Sequence, residues 1–323
     1  MSKAYRFHET GGPEVLKWED FDPGPPGPGE VRIRQTAIGV NFIDIYHRDG
    51  LYPLPLPSGI GLEGCGIIEA VGEGVDRQPG ERVAYGGMPP GAYAEIHNKP
   101  ASAVVTVPED IDDQIAATLM LKGMTAQYLL RHTHRVKAGE TILVHAAAGA
   151  VGALLCQWAS HLGATVIGTA GSDEKAALAK AHGAAHCIVY SRDDFAAKVR
   201  EITAGKGVPV VYDSVGAATF EGSLDCLAPL GHMVSFGNAS GPVPPVSPGV
   251  LAARGSLTLT RPILFHYNLD ETDFRANAAE VFAAVASEAI RPAVNQTLPL
   301  REAPRAQRML EARETTGATV LIP

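Results

Sequence analysis

From Thr141 onward, short apolar runs alternate with stretches of helical pattern, and this alternation constrains the fold more than any other feature. TILVHA (141–146) leads to a helix near 151–162 and ATVIGTA (164–170) to one near 173–182. HCIVY (186–190) leads to 193–203, PVVYDSV (209–215) to 217–227, and a further run, HMVSFG (232–237), follows. A strand returning parallel to its predecessor needs such a crossover, so this half of the chain reads as β-α-β units with helices on both faces of a parallel sheet. GPVPPVSPG (241–249) reads as a proline-rich surface loop and Gly255–Arg261 as a late strand at the sheet edge. Two amphipathic helices and a last strand, Ala318–Ile322, complete the chain.

The first 121 residues have another character. DPGPPGPGE (22–30), YPLPLPSG (52–59) and GGMPPG (86–91) interrupt them every few residues, with short apolar runs such as Val31–Val40 and Gly66–Val71 between. Many short strands with Gly/Pro punctuation imply a mostly antiparallel, barrel-like domain. With 46% apolar and 19% charged residues the chain can bury a large core. Its net charge of −8 argues against general nucleic-acid binding, where a basic stripe is expected. No stretch reads as a secretory signal, a membrane span or a basic membrane-surface helix. The cysteines, Cys65, Cys156, Cys187 and Cys226, form no CxxC and look like the scattered reduced thiols of a cytoplasmic protein.

Within the first β-α unit lies Ala146-x-x-Gly149-x-x-Gly152. A dinucleotide turn usually reads G-x-G-x-x-G, so this one is a glycine short. Its context still points to a nucleotide: the motif follows a strand and opens a helix, whose N-terminus presents free N–H groups and a positive dipole end to a pyrophosphate. Gly149 permits close approach of the backbone and Gly152 tight helix–sheet packing. An alanine at 146 implies a turn made without a left-handed residue there. An acid near the end of the second strand would bind a ribose 2′-hydroxyl. Here Thr169–Ser172 stand in that place, with Lys175 beyond, which suits a 2′-phosphate and favours NADPH. Asp173 and Glu174 read as dipole-favouring residues of the next helix's first turn.

Ordered matches along the whole chain carry a resemblance. They are GGPEVL (11–16), GVNFIDIYHRDGLYP (39–53), LPSGIGLEGCGIIEAVG (56–72), HAAAGAVG (145–152), YDSVG (212–216), VSFGNASG (234–241) and ETTGATVLIP (314–323). On these the sequence resembles the zeta-crystallin-like quinone oxidoreductases of the medium-chain dehydrogenase/reductase superfamily. The resemblance implies an α/β protein with a Rossmann doubly wound parallel sheet (122–262) and a GroES-like, mostly antiparallel β-barrel catalytic domain (1–121 and 263–323). The cofactor would lie in the cleft between the two domains. It places Asn41 and Thr125 toward the nicotinamide, and Gly149, Ala150, Val151 and Gly152 at the pyrophosphate. Ser172 and Lys175 would hold the 2′-phosphate and Tyr190 the adenosine end. Phe236, Gly237 and Asn238 would pass the nicotinamide ribose, with Arg313 reaching in from the C-terminal segment. A homodimer joined through the Rossmann edge strand is also implied.

Alcohol dehydrogenases of that superfamily hold a catalytic zinc with a cysteine where this chain has Asn41 and a histidine where it has Leu62. The cysteine cluster of their structural zinc is missing too, so no metal site is expected. His132 and His134, two apart, do not share a helix face and read as surface residues, and His145 and His161 as packing residues. Without a Lewis acid, hydride transfer to an electron-poor quinone or α,β-unsaturated carbonyl is the favoured chemistry, its oxygen needing only a hydrogen-bond donor. Asn41, Tyr46 and Tyr52 are the candidate donors, with Asp44 orienting one of them. The alternatives are a 2-enoyl thioester or alkenal reductase, or a non-enzymatic NADPH-binding crystallin or RNA-binding protein. The acidic balance and the lack of an RNA-recognition motif speak against the last.

Overall fold

The computed structural model describes residues 2–323. Two compact units emerge: the chain up to Met124 with Asn268–Phe282 and Pro292–Pro323, and Thr125–Tyr267 with Ala283–Arg291.

The second unit is built on six strands, Thr141–Val144, Thr165–Ala170, Ala184–Val189, Val208–Asp213, Leu227–Ser235 and Thr258–Thr260. All neighbours are parallel. Counted along the chain the strands stand 3-2-1-4-5-6, the doubly wound order whose reversal between the first and fourth strands opens a ligand crevice at their carboxyl ends. Leu143, Ile167, Ile188, Val211 and Met233 pack with the helix residues Phe220 and Leu224 into one core, as expected of strands buried on both faces.

Two local departures have clear causes. The edge strand is three residues long, because Gly255 (φ 106°) and Ser256 (φ 58°) leave the extended region just before it. The proline-rich loop ends in a helix, Pro248–Ala253, with its proline in the first turn, where a missing N–H costs nothing.

The first unit carries a seven-stranded sheet in which Glu30–Gly39 pairs antiparallel with Glu63–Val71, Ile96–Pro100 and Ala318–Ile322. Val294–Pro299 joins Ala318–Ile322 in the one parallel pair. A three-stranded sheet, Lys17–Asp20, Lys3–Phe7 and Ser58–Gly59, is also present. Phe7, Ile33, Ile68, Val83 and Tyr85 fill the core.

Two features of this unit position chemistry. Asn41 caps a short helix, Phe42–Arg48, and the Asp44 carboxylate returns a bond to the Asn41 backbone N–H at 2.9 Å, closing a capping box. Further on, the chain runs through a π-helical turn, Leu119–Gly123, a wide turn that brings the Leu121 and Lys122 backbone N–H groups to one buried carboxylate, that of Glu63.

Candidate active site

The strand Thr141–Val144 ends in a turn, His145–Ala148, that leads into the helix Ala150–His161 with Gly149 as its cap. Ala146 is left-handed (φ 51°), which corrects the expectation that an alanine there spares the turn a positive φ. The reason is visible at Gly152, where any Cβ would run into the carbonyl oxygen of Ala146. The helix starts so close to the strand end that residue 146 must turn its carbonyl sharply, and an alanine in that region costs about 1–2 kcal/mol.

Gly149 is different. Its backbone is extended (φ −76°, ψ 169°), and a Cβ would stand 3.2 Å from the Ala146 oxygen, tight but open to relaxation. The fold demands glycine at 152 and only favours it at 149. Ala150 and Val151 are half-buried in the first helical turn, where unpaired N–H groups point outward.

At the end of the next strand, Ser172 caps the helix Asp173–Ala181 by accepting the Lys175 backbone N–H at 3.3 Å. Tyr190 is exposed and its hydroxyl reaches over Gly171. Sequence reasoning missed Arg192, which meets the Asp173 carboxylate at 3.2 Å and so neutralises an acid of that first turn. Phe236 is half-buried and its N–H bonds the Asp213 carbonyl at 2.8 Å. A Cβ on the next residue, Gly237, would collide with the Ser214 backbone, and Asn238 accepts from the Gly241 N–H at 2.9 Å. Thr125 lies half-buried in the helical turn Met124–Tyr128.

Beneath the turn lies a polar lattice that sequence reasoning also missed. His145 was expected to be a packing residue; it is buried but hydrogen-bonded at both nitrogens, to Thr169 Oγ1 and Ser223 Oγ, each at 2.9 Å. The Asp213 carboxylate accepts from the Val215 and Gly216 N–H groups and from the Thr219 and Ser223 hydroxyls, at 2.7–3.1 Å. Ser223 has one proton, claimed by Asp213 or by the Thr219 carbonyl. His145 Nε2 must therefore donate to Ser223, and Nδ1 accepts from Thr169. Burial lowers the His145 pKa, against the opposing pull of Asp213. The lattice anchors the ends of three strands around the turn. His161 is exposed in the last turn of its helix and packs no core.

In the first unit, Asn41, Asp44 and Tyr46 are all buried. Tyr46 and Tyr52 meet edge to face at 5.2 Å, and the Tyr52 N–H bonds the Tyr46 carbonyl at 2.8 Å. Asp44 accepts from the Tyr93 hydroxyl at 2.9 Å. Burial pushes its carboxyl up to about 7, against the hydrogen bonds from Asn41 and Tyr93. Glu63, fully buried, pairs with Lys122 at 2.5 Å and accepts the Asn41 side-chain amide at 3.0 Å. That pair was not foreseen either; the only signal was an acidic residue inside the apolar run GLEGCG. Arg313 stands left-handed (φ 60°) just past the helix Ala303–Glu311, in the place glycine usually takes.

The donor set does not fit a zinc ion. Leu62 offers no ligand, and the described residues contain no group of three His, Cys, Asp or Glu side chains placed to hold a metal.

Comparison with known proteins agrees with this architecture. The family described as "Alcohol dehydrogenase GroES-like domain" matches residues 27–136, and "Zinc-binding dehydrogenase" matches 150–283. The chain is 54% identical to a quinone oxidoreductase of Pseudomonas aeruginosa, with 100% of both chains covered. It is 48% identical to a 2-haloacrylate reductase of a Burkholderia species, over 100% of this chain and 99% of the other. Among solved structures, the Escherichia coli quinone oxidoreductase complexed with NADPH superimposes with a TM-score of 0.97 at 46% identity, over 99% of this chain and 100% of that one.

Proposed function

The chain belongs to the quinone oxidoreductases of the medium-chain dehydrogenase/reductase superfamily, and we propose that it is an NADPH-dependent, zinc-independent reductase of quinones and related activated alkenes. One observation carries the reading: the full-length likeness to quinone oxidoreductases, one of them solved with NADPH, together with a strand–turn–helix at Ala146–Gly152 suited to a pyrophosphate. Gly149, Ala150, Val151 and Gly152 hold the pyrophosphate with backbone N–H groups. Ser172 and Lys175 take the 2′-phosphate, in a first turn where Arg192 occupies Asp173. Tyr190 covers the adenosine, while Asn41, Thr125, Phe236, Gly237, Asn238 and Arg313 serve the nicotinamide half. NADPH supplies a hydride when bound.

What the chain itself must supply is a donor for the acceptor's oxygen as charge develops there. Tyr46 and Tyr52 are the candidates, since a phenol hydroxyl can donate a hydrogen bond. A second reading, reduction of a polarised carbon–carbon double bond in an unsaturated acid, is favoured by the near-equal likeness to a 2-haloacrylate reductase. A homodimer through the exposed edge of Thr258–Thr260 is part of the proposal, because an uncovered strand edge invites a second copy.

The test is a panel of quinones, enones, 2-haloacrylates and enoyl thioesters, following NADPH absorbance. Quinone turnover with NADPH, weak turnover with NADH and no loss on chelation are expected. Turnover that requires zinc overturns the metal-free reading, and exclusive activity on one alkene class selects the second.

A further inference from the structure

We propose that Glu63, held by Lys122, is a positioning residue that fixes the side-chain amide of Asn41 so that its oxygen, and not its nitrogen, is the atom offered to a ligand. The inference rests on the reductase reading above and deepens it.

The geometry leaves the amide one orientation. Asn41 Nδ2 lies 3.2 Å from the Gly39 carbonyl oxygen and 3.0 Å from Glu63 Oε2. The carbonyl accepts only. The Glu63 carboxylate faces four donors: the Leu121 N–H at 2.7 Å and the Lys122 N–H at 3.3 Å on Oε1, and Lys122 Nζ at 2.5 Å and Asn41 Nδ2 at 3.0 Å on Oε2. An ammonium and three N–H groups thus surround one buried carboxyl. Two acceptors therefore flank the Asn41 amide on the inner side, and turning it over would set an oxygen against both. Both amide hydrogens are consumed inside the protein. What remains is Oδ1, which faces the Asp44 N–H in the capping box and keeps a second lone pair as acceptor for a hydroxyl or amide donor of the bound nucleotide. Hydrogen-bond donation to the reduced substrate's oxygen then falls to a tyrosine rather than to Asn41. This revises the role of donor that the sequence suggested for residue 41.

The other titratable groups around this cluster are Asp44, which accepts the Asn41 backbone N–H, Tyr93, which donates to Asp44, and Tyr85, whose hydroxyl feels the charge of Glu63. None of them competes for Asn41 Nδ2 in the hydrogen bonds described.

Three variants test the inference in full-length protein, with folding checked by thermal unfolding and NADPH affinity by fluorescence. Glu63→Gln leaves one acceptor oxygen for four donors. It should lower kcat about ten- to a hundredfold, the scale of a charge-assisted hydrogen bond, with kcat falling more than KM rises. Asn41→Asp sets two carboxyl groups about 3 Å apart, which cannot both ionise cheaply. Their shared proton faces Glu63 and leaves an oxygen outward, so this variant should work at low pH and lose activity on an alkaline limb the parent lacks. In the double variant Asn41→Asp/Glu63→Gln, the amide introduced at position 63 donates to the carboxylate introduced at position 41, and the limb should vanish. A folded Glu63→Gln with parental kcat overturns the inference. So does an Asn41→Asp variant with the parental pH profile or inactive at every pH, or a limb that persists in the double variant. A parent that binds NADPH but reduces no quinone or activated alkene overturns the underlying reading instead.

Discussion

The guanidinium of Arg48 and the carboxylate of Glu311, 263 positions apart in sequence, meet at 2.6 Å. Arg48 is 2% exposed, while Glu311 is 36% exposed. Arg48 also donates to Gln307 Oε1 at 2.7 Å and to the Gly11 carbonyl at 3.0 Å. It closes the helix that Asn41 caps and that carries Asp44 and Tyr46, so the C-terminal helix Ala303–Glu311 braces the candidate site's own helix. Removing the acid strands a buried cation; removing the base leaves a carboxylate that water can reach. Glu311→Ala should therefore cost about 2–4 kcal/mol in urea unfolding, with Arg48 still buried beside one amide and one carbonyl. A change below about 0.5 kcal/mol, the surface-pair scale, would mean the pair adds nothing.

At the nucleotide turn the two strained positions should respond oppositely. Ala146→Gly removes a left-handed penalty of about 1–2 kcal/mol and adds about 0.5–1 kcal/mol of unfolded-state entropy. The net is a stabilisation of up to about 1.5 kcal/mol with cofactor affinity kept. Gly152→Ala pushes a methyl into the Ala146 carbonyl and should lower both stability and nucleotide binding. Differential scanning calorimetry with and without NADPH reads both effects.

Two buried groups titrate near neutrality with opposite sign. Asp44 moves from 3.8 up to about 7 through burial, so its folded form keeps a proton the unfolded chain has lost. Stability from this group is full below 3.8 and falls as pH rises to about 7. Asp44→Asn should therefore gain on the parent progressively across that window. Lys99 moves from 10.5 down to about 7 because burial disfavours its charge, although it donates to the Gly87 and Pro89 carbonyls. Its penalty is greatest below about 7 and disappears as pH climbs to 10.5. Lys99→Met should compare best with the parent at low pH and worst at high pH. Urea midpoints taken from pH 4 to 10 for the three proteins check both slopes. Parallel curves would show that neither group is shifted.

What could be read from sequence was what leaves a local pattern. Crossovers mark a parallel sheet by alternation, and the six strands near 141–260 follow it. The strand Val294–Pro299 reads VNQTLP, exposed at alternate places with three polar residues in a row, and gave no apolar run to find. The helix Phe42–Arg48 did carry a cue, the Asn41-x-x-Asp44 capping pair, hidden among glycines and prolines. The lattice of His145, Thr169, Asp213 and Ser223 is assembled across strand ends, with partners up to 78 positions apart. Glu63 and Lys122 are 59 apart. Such pairs are set by topology, so no spacing announces them. Ala146 misled because residue type records a preference of about 1–2 kcal/mol, which the close approach of Gly152 outweighs.

Cofactor choice turns on Lys175 and Gly149. Lys175 sits in the first turn of a helix capped by Ser172, and one of the two acids of that turn, Asp173, is bound by Arg192. A half-buried ammonium meeting a 2′-phosphate contributes about 1.5–3 kcal/mol. At about 1.4 kcal/mol per tenfold, Lys175→Ala should weaken NADPH about ten- to a hundredfold. NADH, which lacks the phosphate, should be nearly unaffected. Gly149→Val separates fold from ligand, because the backbone at 149 is extended and a Cβ there meets only the Ala146 oxygen, at 3.2 Å. The variant should fold, with a modest loss of stability, and lose NADPH and NADH together as its branched side chain crowds the pyrophosphate path. Fluorescence titration of both nucleotides against both variants gives four affinities. Parental NADPH preference in Lys175→Ala would remove that lysine from the 2′-phosphate. Parental affinities in a folded Gly149→Val would remove the turn from the nucleotide altogether.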